Sequence, residues 1–195
     1  ARFDFPGKSL VTTAVMTPLV LPPVVTGFLL LSLLGRNGWL GGTLDAFGVS
    51  VPFTLLGATA AALVVGFPLY MMSARSAFEA VDRRYAEVAW TLGDKPAGSF
   101  WRVSLPMALP GVLAGAVLAF ARALGEFGAT IVLAGNIEGQ TRTIPLAVYT
   151  ALETPDGGRV AWLLVGASVG IAALALLGFE SLSRAQRRRT GDSRS

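Results

Sequence analysis

Charged residues leave long gaps in this chain. Between Lys8 and Arg36, from Ala46 to Ala74, from Val103 to Ala121 and from Val160 to Phe179, no residue carries a charge. A helix needs about 20 predominantly apolar residues to cross a hydrocarbon core. The pattern therefore predicts four membrane-spanning helices, near residues 10–34, 51–73, 104–124 and 160–180. Buried helices of soluble domains average only about 11 to 12 residues, too short to account for gaps of this length. The expected fold class is all-α, a polytopic membrane helix bundle.

Composition narrows the chemistry. The 195 residues are 53% hydrophobic and 14% charged, where a soluble domain carries roughly a quarter charged residues. With no cysteine and no histidine, disulfides, cysteine metal sites and the commonest general base are all excluded. No cofactor is expected. The net charge of +4 does not point to nucleic acid, because Arg and Lys flank apolar spans and are not interleaved with stacking aromatics.

Positive charge orients the spans. Residues 1–9, the segment 75–103 and the basic tail 181–195 fall on one side and hold Arg2, Lys8, Arg75, Arg83, Arg84, Lys95, Arg102, Arg184, Arg187, Arg188, Arg189 and Arg194. The opposite side, which includes the extracytoplasmic segment 127–158, holds only Arg36, Arg142 and Arg159. By the positive-inside rule the richer side is cytoplasmic. The chain begins at Ala1 with Arg2 and Lys8 already on that side, so a further span upstream is expected. A signal peptide fits residues 9–35 poorly, since that stretch exceeds an h-region and contains Pro18, Pro22 and Pro23. These prolines predict kinks, tolerated in a bilayer where neighbours or a wet cavity satisfy the freed carbonyls. Small-residue steps at Gly57/Ala61, Gly111/Gly115 and Gly166/Gly170 predict close helix contacts but no activity.

The most informative polar stretch is Ser76 to Pro106. Ala77, Ala80, Val81, Tyr85, Val88, Ala89 and Leu92 form an apolar stripe at helical spacing. Glu79 precedes Arg83 by four residues in the favourable order. Gly93 then predicts a left-handed helix stop, Asp94 a cap for the next turn, and Pro96 the start of a second short helix. The spacing of Glu87, Ala89, Gly93, Val103, Leu105 and Pro106 resembles the EAA loop of ABC importer permeases, with Val88 where the family's middle alanine stands. The resemblance implies a type I importer (MetI-like) membrane domain. It also implies that Arg84, Glu87, Ala89, Leu92, Gly93 and Asp94 form a coupling segment gripped by an ATP-binding cassette subunit. A short rigid helix transmits a movement that a flexible loop would absorb. An amphipathic helix lying on lipid is the competing reading.

A second stretch, Phe120 to Leu152, contains Arg122 and Glu126 four residues apart, hence on one face of a continuous helix. Ionisable groups at membrane depth face a bundle interior or a wet cavity. Two readings stand: Arg122 lines an anion path with Glu126 holding it, or the two make a structural ion pair. Gly125 and Thr130 join them as candidate path residues. The run Arg122 to Thr130 with Gly135 and Asn136, then Thr141 to Pro145, Tyr149, Thr150 and Thr154 to Gly158, resembles permeases of molybdate importers and, less closely, of sulfate and thiosulfate importers. That resemblance implies a permease homodimer, two ATPase subunits and an extracytoplasmic molybdate-binding protein, in a bacterial or archaeal cytoplasmic membrane. Molybdate, tungstate and sulfate are all tetrahedral dianions and are not separated by these residues. No G-x-x-x-x-G-K-[ST] loop is present, so ATP hydrolysis is expected on a partner. The mixed charges of the outer loops, Arg36, Asp45, Glu138, Arg142, Glu153, Asp156 and Arg159, suit a reversible docking surface. An ion-gradient transporter would share the broken helices and the buried pair but would need no EAA-like loop.

Overall fold

The computed structural model describes residues 5–190; Arg2, Arg194 and the end of the basic tail lie outside them. Every regular element among the described residues is helical. The order is α1 (Lys8–Val20), α2 (Pro23–Leu34), α3 (Gly41–Ala46), α4 (Leu55–Glu79), α5 (Arg83–Thr91), α6 (Pro96–Ser99), a π-helical turn (Phe100–Ser104), α7 (Leu105–Leu124), α8 (Gly128–Leu133), α9 (Ile144–Glu153) and α10 (Gly158–Thr190).

Three helical stretches are long and apolar enough to cross a membrane: Leu55–Glu79, Pro96–Leu124 and Gly158–Arg184. At 1.5 Å per residue the 25-residue α4 is about 37 Å long, against a hydrocarbon core of about 30 Å. The stretch expected to cross at 10–34 instead forms two helices of 13 and 12 residues, each under about 20 Å. The reason lies in Pro22 and Pro23. Neither has an N–H to continue α1, while Pro23 at the first helical position pre-sets the backbone of α2.

The chain forms two compact units. The first comprises residues 1–8, 69–119 and 173–195. Its core is Ala77, Val81 and Ala108, with Phe78, Met107 and Val112 packed around them. Phe78 stacks on Phe100 with ring centroids 5.9 Å apart, and Trp101 meets the edge of Phe100 at 5.4 Å. The α4 and α7 backbones approach closely where Gly115 faces Ser73, whose hydroxyl donates to the Gly111 carbonyl at 3.4 Å. One of the expected small-residue steps thus packs helices. The step at Gly166 and Gly170 has no atom within 4 Å of where their Cβ atoms would stand.

The second unit comprises residues 9–68 and 120–172. Ala61, Val65, Ala129 and Leu133 are its core, flanked by Leu30, Leu31 and Ala60. Here α2 packs tightly on α8. A Cβ on Gly27 would lie 2.8 Å from the Ala129 backbone, so only glycine permits this approach. The α8 C-terminus is held as well, because the Leu133 carbonyl accepts from the Phe53 N–H at 3.0 Å. Phe53 sits in the left-handed region (φ 57°) directly after Pro52, the arrangement of a type II turn. Along α10, Trp162, Leu163, Val169, Leu174 and Leu177 are exposed, an apolar surface that lipid tails accept without penalty.

Candidate coupling segment and translocation corner

The coupling residues come from one short bent stretch of the first unit. The apolar stripe from Ala77 to Leu92 predicts one helix, but α4 stops at Glu79 and α5 starts at Arg83. Asp82 makes the restart: its carboxylate accepts from the Arg84 N–H at 2.9 Å while its own backbone is extended. Of the stripe, Ala77 and Val81 are buried, whereas Ala80, Tyr85, Val88 and Leu92 are exposed, Leu92 at 83%; Ala86, which is not part of the stripe, is the buried residue of α5. The exposed face of α5 therefore presents apolar side chains beside the charges of Arg84 and Glu87, both also exposed.

Gly93 ends α5 as its sequence position predicts. Its φ is +91°, its N–H donates to the Trp90 carbonyl at 3.0 Å, and the Asp94 N–H donates to the Ala89 carbonyl at 3.0 Å. The paired bonds are those of a Schellman stop. Nothing lies within 4 Å of a Cβ built on Gly93, so the glycine is required by backbone conformation and not by crowding. Asp94 does not cap α6, whose N-cap is Lys95 with no side-chain bond. Its carboxylate instead accepts from Arg102 Nη1 at 3.2 Å, a link from the bend to the π-helical turn. Pro96 opens α6 at the first position, as expected.

The π-helical turn was not legible beforehand. The Leu105 N–H reaches the Phe100 carbonyl five residues back. Pro106 follows immediately, and a proline ring clashes with the carbonyl four residues earlier in an α-helix; widening the preceding turn relieves that clash.

The candidate path residues belong to the second unit. Arg122 and Glu126 do pair, Nη1 to Oε2 at 3.1 Å. They do not share a helix face, because α7 ends at Leu124 and the chain turns through Gly125, with the Glu126 N–H donating to Ala123 O at 3.0 Å. Past this corner the second carboxylate oxygen of Glu126 accepts from the Ala129 N–H at 2.9 Å, satisfying a free donor in the first turn of α8. The Glu126 side chain is 2% exposed and that of Arg122 37%. Glu126 thus joins the end of α7 to the start of α8, and the guanidinium keeps donors beyond the one spent on it. Gly125 is exposed, and Thr130 is buried within the unit at 1%.

The corner also makes side-chain contacts that the sequence does not reveal. Phe127 packs against Tyr149 of α9 with ring centroids 5.4 Å apart. Glu153, one turn on, holds the Tyr149 phenol above its ordinary range through hydrogen bonding to the hydroxyl and the charge of its carboxylate. Asn136 donates from Nδ2 to Thr150 Oγ1 at 2.8 Å and accepts at Oδ1 from Arg142 Nε at 3.0 Å. Arg142 also pairs with Glu138 at 3.2 Å. The segment 127–158, read only as an outer loop region, therefore contains a buried helix and a polar network. No side-chain group able to hold a metal ion occurs among the described residues.

Apolar helices of membrane length, interrupted by a capped and bent polar segment, define a multi-pass helical membrane protein. The family described as binding-protein-dependent transport system inner membrane component matches residues 1–188, and the chain belongs to that family. It is 48% identical over 191 residues to the Molybdenum transport system permease protein ModB of Escherichia coli (strain K12), covering 97% of this chain and 83% of that one. It is 45% identical over 192 residues, covering 98% and 84%, to the protein of the same name from Haemophilus influenzae. A Probable sulfate transport system permease protein, cysT, of Nephroselmis olivacea is 35% identical over 176 residues, covering 90% and 61%. As a permease component of a transport system, the chain is not a catalytic subunit.

Proposed function

We propose that this chain is the membrane-spanning permease subunit of an ATP-driven importer that carries molybdate across the cytoplasmic membrane by alternating access. The observation that carries the cargo is the similarity to two molybdenum permeases at 48% and 45% identity over nearly the whole chain. Sulfate has weaker support, the 35% relative, and tungstate shares the same charge and shape.

In this reading the α5–α6 bend faces the cytoplasm and docks into an ATP-binding cassette subunit. Tyr85, Val88 and Leu92 supply the apolar contact, and Arg84 and Glu87 the charged register. Gly93 with Ala89 and Asp94 keeps the bend rigid, so that closure of two ATPase subunits moves the spans of a permease dimer. An extracytoplasmic binding protein delivers the anion to the outer loops. Arg122 lines its route, held by Glu126 at the Gly125 corner, with Thr130 behind. A guanidinium with free donors suits passage of an oxyanion, since it offers hydrogen bonds and charge without a proton to lose.

The test is reconstitution of the chain with its neighbouring ATPase subunit in proteoliposomes that enclose ATP. Molybdate-loaded binding protein outside should stimulate ATP hydrolysis and molybdate uptake together. Excess sulfate should compete poorly and tungstate well. Uptake that persists without the ATPase subunit would replace the reading with ion-gradient transport, and preferential sulfate uptake would replace the cargo. Arg122→Ala should lower uptake per ATP; unchanged uptake would remove Arg122 from the route.

A further inference from the structure

We infer that Tyr149 is a positioning residue for the Arg122 guanidinium, acting through Phe127, so that α9 sets the aim of the anion route. The inference rests on the reading that Arg122 lines that route. Phe127 stands between Glu126, whose carboxylate holds Arg122 Nη1 at 3.1 Å, and Gly128, which opens α8. The far side of this corner is fixed. A Cβ on Gly128 would sit 3.0 Å from Pro23 and 3.1 Å from the Val24 backbone, so the start of α8 lies directly against α2. The near side has only the turn through Gly125, which is exposed. Rotation there would swing the Glu126 carboxylate relative to α7 and so re-aim the Arg122 guanidinium that it holds. The Tyr149 ring, 5.4 Å from that of Phe127, stands against that rotation.

Tyr149 is itself held. The next residue, Thr150, receives the Asn136 amide at 2.8 Å. Asn136 is gripped in turn by Arg142, which reaches exposed Glu138. A displacement of α9 or of the Glu138–Arg142 loop is thereby passed through adjacent side chains to the corner. Arg122 is thereby linked to events at exposed Glu138.

Hydrogen exchange of the complete transporter, with its ATPase and binding protein in nanodiscs, tests this at the Ala129 amide, which Glu126 accepts. Tyr149→Ala should speed exchange at residues 126–129 about two- to tenfold, the equilibrium factor of one aromatic pair. Tyr149→Phe should not, and α4 should exchange at the wild-type rate in both. Unchanged protection at Ala129, an equal loosening of α4, or a Tyr149→Phe as disturbed as Tyr149→Ala would each overturn the inference. Phe127→Leu reads the same contact from its other side if Tyr149→Ala fails to assemble. In uptake per ATP, Tyr149→Ala added to Arg122→Ala should cause no further loss; two losses that multiply would also overturn it. Wild-type uptake by Arg122→Ala alone would defeat the route reading, and the exchange result would still decide the Tyr149 contact.

Discussion

Substituting Gly93 isolates the bend from everything around it. Its backbone is left-handed at φ +91° and the space where a Cβ would stand is open to 4 Å. Gly93→Ala therefore meets no atom, and its whole cost is conformational, about 1–2 kcal/mol for an L-residue forced into that region. Set against RT of about 0.6 kcal/mol, this lowers the population of the bent form about five- to thirtyfold relative to a straightened one. The two bonds of the stop, Gly93 N–H to Trp90 O and Asp94 N–H to Ala89 O, would be lost together. The cores at Ala77–Val81–Ala108 and Ala61–Val65–Ala129–Leu133 do not involve this residue, so helicity and thermal midpoint in detergent should stay near wild type. In proteoliposomes Gly93→Ala should lower uptake per ATP several-fold, and Gly93→Leu, whose Cβ meets the same open space, should fall to the same level. Gly93→Asn should lie between, because asparagine enters the left-handed region more readily. Gly93→Ala coupling like wild type, or Gly93→Leu far below Gly93→Ala, would refute an argument based on backbone conformation alone.

Asp82→Ala should remove the α5 cap at a cost of about 0.5–2 kcal/mol, seen as faster hydrogen exchange at Arg84, with Asp82→Ser recovering most of it. Glu126→Ala should leave the Ala129 N–H without its acceptor, at about 1–3 kcal/mol, and lower the thermal midpoint more than Glu126→Gln, which keeps an acceptor oxygen. Gly27→Val should force α2 from α8 by overpacking, about 1–3 kcal/mol, with loss of folded protein on size exclusion. Gly166→Leu, with nothing within 4 Å, should leave the fold of the single chain unchanged; unfolding there would show that α10 packs more closely than described.

What was legible follows from physics that acts locally. Lengths of charge-free sequence report the cost of burying charge in lipid, and α4, α7 and α10 are long apolar helices where that signal lies. The same signal counts residues and is blind to breaks, so 10–34 reads as one span although Pro22 and Pro23 divide it. The Gly93 stop was legible because a left-handed cap selects its own residue, whereas the break at Ala80–Asp82 was hidden by an apolar stripe running across it. Glu126 was correctly paired with Arg122 but for the wrong geometry, since a helix and a turn through Gly125 both bring residues four apart into reach. Helix α8 is not legible because six residues have too few turns to show a period; what makes them a core element is the Gly27 surface a hundred residues away. The Tyr149–Phe127 and Asn136–Thr150 contacts likewise depend on a fold that brings separate stretches together.

The π-helical turn at Phe100–Ser104 carries one residue more than an α-helix would need for the same rise. Removing Val103 or Ser104 should take out that surplus residue and press the ring of Pro106 against the preceding turn. Because one residue corresponds to about 100° of rotation, such a shortened chain would present Trp101 and the Arg102 partner of Asp94 on a different azimuth. The surplus residue thus acts as a phase shifter, fixing the direction in which everything upstream of Pro106 points.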